Sequence, residues 1–158
     1  MSKIETLIDE NLSERRTAVM SSMTLDLAEE CIRKVKAKTA EMKISLSIAV
    51  VDDAGKLVAY VRMGEKKGGF GEKLAMAKAR TAVAFRRPTQ ESLERYANYP
   101  GNYYIVGTAA LYPDEFCVVP GGTPLIIREE LIGGVGVSGS TSENDHRCVT
   151  EALSDIHL

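Results

Sequence analysis

The residues with the most chemistry in reach lie late in the chain, in 118–145, VVPGGTPLIIREELIGGVGVSGSTSEND. Glu143 and Asp145 follow a glycine-rich strand and open the last helical stretch. Two carboxylates so placed can serve as a general acid/base pair or bind iron. They also suit plain capping: Ser140-x-x-Glu143 and Ser142-x-x-Asp145 both match a capping box, and acids in a first turn favour a helix N-terminus. The roles are compatible, since a capped acid can still face a pocket beside Gly121 and Gly122. Arg62, near the end of a predicted strand, is the preferred counter-charge for a ligand. His146, beside Asp145, reads either as a surface histidine or, in its neutral form, as an iron ligand.

A second cluster is basic. Eight Lys and Arg residues fall between Arg62 and Arg87 against only Glu65 and Glu72, a net of +6 that leaves −8 for the remainder of a chain whose total is −2. This segment flanks Gly68-Gly69-Phe70-Gly71 at a predicted helix start, where free backbone N–H groups can hold a carboxylate or phosphate. The spacing matches neither a phosphate-binding loop nor a dinucleotide fingerprint, and a solvated basic face is the alternative. Lys78, on the apolar face of that helix, must snorkel outward or meet an acid or an anion. The candidate site therefore comprises Arg62, Gly69, Phe70, Lys78, Gly121, Gly122, Ser138 and Gly139 as ligand-binding residues, with Glu143 and Asp145 as acid and base. The metal, if any, is unknown.

The elements that position these residues follow from periodicity. Thr24 to Lys43 reads as a helix, with Thr24 as N-cap, Asp26 in the first turn, and Leu27, Ala28, Cys31, Ile32, Val35, Thr39 and Met42 on one face. Cys31 on that face is a buried thiol or, alternatively, a metal or haem ligand. Leu46–Val51 and Lys56–Met63 are two strands joined by Asp52-Asp53-Ala54-Gly55, a hairpin in which the two adjacent acids belong to the turn or, alternatively, to a metal site. A helix over Glu72–Arg86 stops at Pro88, and its alanines let it sit close to a sheet. Thr89 is expected to cap a short helix through Ala97. Tyr103–Leu111 is an apolar segment of undecided type. Pro124–Ile127 and Leu131–Val137 form a second hairpin, and Gly133, Gly134 and Gly136 inside it mark a bulge or a close approach by another backbone or a ligand. Helices alternating with hairpins predict an α+β fold with an antiparallel sheet.

GGTPL and IGGVGVSGSTSEND, with Met23-Thr24-Leu25, SIAVVDDAGKLVAYVRM and AKARTAVAF in the same order, resemble the GlcG/HbpS family, the haem-binding or "haem-degrading" group that includes the C-terminal domain of PduO-type proteins. The resemblance spans about Met23 to Leu153. It implies a profilin-like fold with a five-stranded sheet, haem or a related tetrapyrrole or corrinoid as ligand, and a homo-oligomer. Arg62 matches the Arg of the family's R-M pattern. Residues 1–22 then form an N-terminal extension, in which Ile4, Leu7, Ile8 and Leu12 make a short apolar stripe, and 23–158 form one domain.

Composition narrows the rest. At 158 residues, 44% hydrophobic and 27% charged, the chain suits one globular domain. A net charge of −2 gives no bias toward nucleic acid or membrane. The three cysteines, Cys31, Cys117 and Cys148, lack metal-type spacing, which suits a reduced, cytoplasmic setting. Three functions remain open: a small-ligand-binding protein for haem or a related tetrapyrrole; a small enzyme acting on an organic acid or cofactor, with Glu143 and Asp145 as acid/base and Arg62 as anion anchor; or an oligomeric structural accessory with no ligand.

Overall fold

The computed structural model describes residues 22–64 and 69–156. The apolar stripe at Ile4–Leu12, Lys66, Lys67 and Gly68 of the basic loop, and His157 lie outside the described residues.

Helix α1 spans Leu25–Met42. Thr24 Oγ1 accepts from the N–H of Leu27 at 3.2 Å, satisfying one donor of the first turn. Ala28, Cys31, Ile32, Val35 and Thr39 recur at three- and four-residue steps and are buried. Strand β1 (Ser47–Asp52) pairs antiparallel with β2 (Leu57–Arg62). Asp52 closes the turn between them, its Oδ1 accepting from the N–H groups of Ala54 at 3.0 Å and Lys56 at 2.8 Å. Helix α2 runs over Gly71–Phe85, α3 over Thr89–Ala97 and α4 over Tyr103–Leu111, with a single 3₁₀ turn at Pro100–Asn102. Strands β3 (Gly122–Ile127) and β4 (Glu130–Ser138) form the second hairpin, and α5 covers Ser142–Ala152.

The sheet is antiparallel in the order β2-β1-β4-β3. It has four strands among the described residues, not five. The one further apolar run, Tyr103–Leu111, has no period-two alternation and folds as α4, none of whose residues is buried. Pro124 is harmless because β3 is an edge strand.

The two faces of the sheet differ. Ile48, Val50, Val135 and Val137 join Ala28, Cys31, Ile32 and Val35 of α1 and Cys148 and Val149 of α5 in the main core. On the other face Val51 meets Ala79 and Val83 of α2. Here the strand glycines are explained: a Cβ at Gly136 would collide with Ala75 O and lie 2.6 Å from Ala79 N, and one at Gly134 would lie 2.9 Å from Ala79 O. The close neighbour is the backbone of α2, which the alanines of that helix admit.

Thr89 does not cap α3. Pro88 holds the N-cap position without a side-chain bond, while the buried Thr89 hydroxyl turns to β3 and accepts from Gly122 N at 2.9 Å. A buried backbone N–H at the start of an edge strand needs a partner more than a half-exposed helix start does.

Candidate anion-binding site

Register assembles the site. Ser47, the first residue of β1, is paired with Arg62 on one side and Ser138 on the other. Directly opposed residues share a face of the sheet, so Arg62, Ser47 and Ser138 stand in a row at one sheet end. Tyr60, two residues before Arg62, is on the same face and donates to Ser47 Oγ at 3.0 Å. The face is the one α2 covers: a Cβ at Gly71 would lie 3.2 Å from Ser47 Oγ.

Helix α2 begins at that row. Its N-cap is Phe70, whose side chain makes no cap hydrogen bond. The first-turn N–H groups therefore have no side-chain cap, and the positive end of the helix dipole lies beside the strand ends. Together these groups line a cavity of about 400 Å³, shared by Arg62, Ser47, Tyr60, Phe70, Ser138 and Gly139, with Gly69 and Glu72 at the helix end. Arg62 is exposed and has no partner among the described residues. Phe70 is 76% exposed. The arrangement suits a carboxylate held by a guanidinium, hydroxyls and backbone N–H groups.

The remaining candidates lie elsewhere. Lys78 meets an acid inside the protein: its Nζ donates to Asp145 Oδ2 at 3.0 Å and to the carbonyl of Val137 at 3.0 Å, with the two side chains only 1% and 3% exposed. The second Asp145 oxygen accepts from the N–H of Ser140 at 3.1 Å. Lys78 is thus not available to a ligand, and Asp145 is not an open acid. Gly121, at φ 127°, serves this pair, since a Cβ there would come within 3.0 Å of Lys78 Nζ. Gly122 abuts Thr89 and the α2 backbone. Glu143 is exposed and does not line the cavity, so the two acids share no reaction space. The helix cap is Thr141, accepting from Asn144 N at 3.2 Å, rather than Ser140 or Ser142.

His146 is half-buried and off the cavity, its Nδ1 enclosed without a hydrogen-bond partner. Cys31 and Cys148 are core thiols, and burial pushes each up to about 11 from an ordinary 9.0, so neither is a ready thiolate. Among the described residues no group of three or more His, Cys, Asp or Glu is placed to hold a metal ion. No helix among them is long and apolar enough to cross a membrane.

Ser47 and Tyr60 were missed as site residues. Their place is not legible in the sequence: strands bounded at Val51 and Lys56 would set Ser47 opposite Tyr60, and the irregularity between Val50 and Val51 shifts it to Arg62.

An antiparallel four-stranded sheet with a cavity at the seat of its covering helix fits a known class. The profile of the "Haem degrading protein HbpS-like" family matches residues 23–154, and the chain belongs to that family. An uncharacterized 15.0 kDa protein of the dhaT-dhaS intergenic region of Citrobacter freundii is 30% identical over 134 residues, 85% of this chain and 92% of that protein. Protein GlcG of Escherichia coli is 37% identical over 94 residues, 60% of this chain and 64% of its own length. The fold is also that of the crystal structure of a PduOC–haem complex, with TM-score 0.74 at 23% identity, covering 87% of this chain and 99% of that one.

Proposed function

We propose that this protein binds a small anionic ligand of the haem type, a tetrapyrrole or corrinoid, by its carboxylates at the cavity beside Arg62. The observation that carries the reading is the uncapped start of α2 set against the row Arg62–Ser47–Ser138. Membership of the HbpS-like family and the fold shared with a protein crystallised with haem support the ligand class.

The residues present fit the acidic edge of such a ligand. A cavity of about 400 Å³ admits a carboxylate arm, and the exposed ring of Phe70 offers an apolar surface for the macrocycle. The lining supplies no imidazole or thiol to an iron. Its tyrosine and methionine are engaged, Tyr60 with Ser47 and Met63 Sδ with Thr39 Oγ1 at 3.6 Å. The chain's own contribution is therefore to hold and orient the ligand by its anionic groups.

The reading includes a homo-oligomer in a cytoplasmic setting. Tyr103 and Val106 of α4 are 76% and 62% exposed, an apolar outer face suited to a second copy. Light scattering should give a mass well above the 17.2 kDa of one chain.

The test is a visible-absorbance titration with haemin, repeated on Arg62→Ala. Arg62 is exposed, so its loss should weaken binding by roughly tenfold, the lower end for a charge-assisted hydrogen bond. Unchanged affinity in a folded variant would place the anion site elsewhere. Binding of a free short carboxylate, with no response to haemin, would favour instead a small organic acid held wholly within the cavity.

A further inference from the structure

A second cavity, of about 600 Å³, lies at the C-terminal end of α2 between that helix, the β1–β2 turn and α4. Its size is that of a small-molecule site. Its walls are aromatic: Phe85, Tyr104, Tyr112 and Phe116. Phe85 meets Phe116 edge-on at 6.0 Å and Tyr104 at 6.1 Å, and Tyr104 is stacked on Tyr96 at 4.4 Å. The geometry points to a binding site for an aryl carboxylate, a planar aromatic ring system bearing one carboxyl group, with the rings as walls and Arg80 as the anion anchor.

Arg80 supports the carboxylate assignment. It is half-buried, and its Nε donates to the carbonyl of Gly55 at 3.0 Å. That bond fixes the guanidinium plane and leaves both terminal amino groups without a partner among the described residues, the fork a carboxylate accepts bidentately. The other charged residues of the lining, Asp53, Lys56 and Glu115, are exposed and screened by water.

The walls are also fixed in advance. Thr81, on α2, accepts from Cys117 N at 2.8 Å and donates to the carbonyl of Glu115 at 3.4 Å. Both bonds pin the segment carrying Phe116 to the helix carrying Phe85. Pre-ordered walls spare a ligand the cost of ordering them. Helix α4 separates the roles of its two faces. Tyr104 and Thr108, with Tyr112 at the C-cap, fall at four-residue steps and line the cavity. The exposed Tyr103 and Val106, on the other side of the helix, do not line it, so a second copy packed on them leaves the cavity open.

The experiment is NMR titration of the whole protein with naphthoate and with its neutral counterpart naphthylmethanol. Naphthoate should bind more tightly than the alcohol, with shifts at Gly55, Thr108 and Phe116. Arg80→Gln should weaken naphthoate about tenfold and leave the alcohol unchanged. Phe116→Leu should weaken both. Three results would each overturn the assignment: no binding of naphthoate to the wild type at millimolar concentration, equal affinity for the two compounds, or shifts confined to the Arg62 cavity. The wild-type shift map and the comparison of the two compounds decide the matter even if Arg80→Gln does not fold.

Discussion

Replacing Lys78 by Met should cost this fold about 3–5 kcal/mol, the penalty for removing one partner of a buried ion pair. The ammonium donates to Asp145 Oδ2 and to the Val137 carbonyl, both at 3.0 Å, and the side chains are 1% and 3% exposed. Met fills much the same volume, so packing changes little. What remains is a buried carboxylate whose surviving described hydrogen bond is from Ser140 N at 3.1 Å. Against a usual total of roughly 5–15 kcal/mol this is a large fraction, and it corresponds to a drop of roughly 10 °C in melting temperature for a domain of this length. The chain has no tryptophan, so urea unfolding is best followed by far-UV circular dichroism. Asp145→Asn should cost less than Lys78→Met, because the amide oxygen still accepts from Lys78. Lys78→Met combined with Asp145→Leu removes both charges and should recover most of the loss, as buried pairs often tolerate apolar replacement. If Lys78→Met lowers stability by less than about 1 kcal/mol, the pair is not the closed ionic contact that its geometry indicates, and the reasoning fails.

Gly136→Ala should destabilise by about 3 kcal/mol, because its Cβ would meet Ala75 and Ala79 backbone atoms that cannot turn away. Gly107→Ala, in α4 with open space around it, should instead stabilise by about 0.4–1 kcal/mol in the same urea assay. Thr89→Val should cost about 1–3 kcal/mol by stranding the buried N–H of Gly122. Cys31 and Cys148 have thiols raised from 9.0 to about 11, so the fold favours their protonated form. That stability is complete below pH 9 and lost as pH rises toward 11, by up to about 3 kcal/mol per thiol, and replacing both with Ala should flatten this part of the pH profile.

Much of the fold was legible because local chemistry and tertiary demand agreed. Thr24 caps α1 and the buried stripe of that helix follows the predicted spacing. Both hairpins form, with Asp52 closing the first as a turn acid. The sequence pattern failed where several residues offered the same chemistry. Ser140, Thr141 and Ser142 can each cap a helix, and only the reach of Asp145 back to Ser140 N singles out Thr141. Thr89 is a good cap by type, but a buried strand N–H claimed its hydroxyl. For Lys78 the helical pattern leaves a choice between solvent, acid and anion. The burial of α2 removed the first, and Asp145 supplied the second.

The same feature explains why the candidate site divided in two. In β4, Gly134 and Gly136 alternate with Val135 and Val137, so one face feeds the main core while the other lets α2 settle onto bare backbone. That descent carries Lys78 too deep to reach water, which obliges α5 to answer with Asp145 and takes both groups out of any ligand's reach. It also sets the start of α2 against Ser47, where a Cβ at Gly71 would already touch the hydroxyl at 3.2 Å. The anion cavity and the buried ion pair are therefore two consequences of one helix seat. A change that lifts α2, such as Gly136→Ala, should disturb both together, whereas Arg62→Ala should weaken ligand binding and leave stability unaltered.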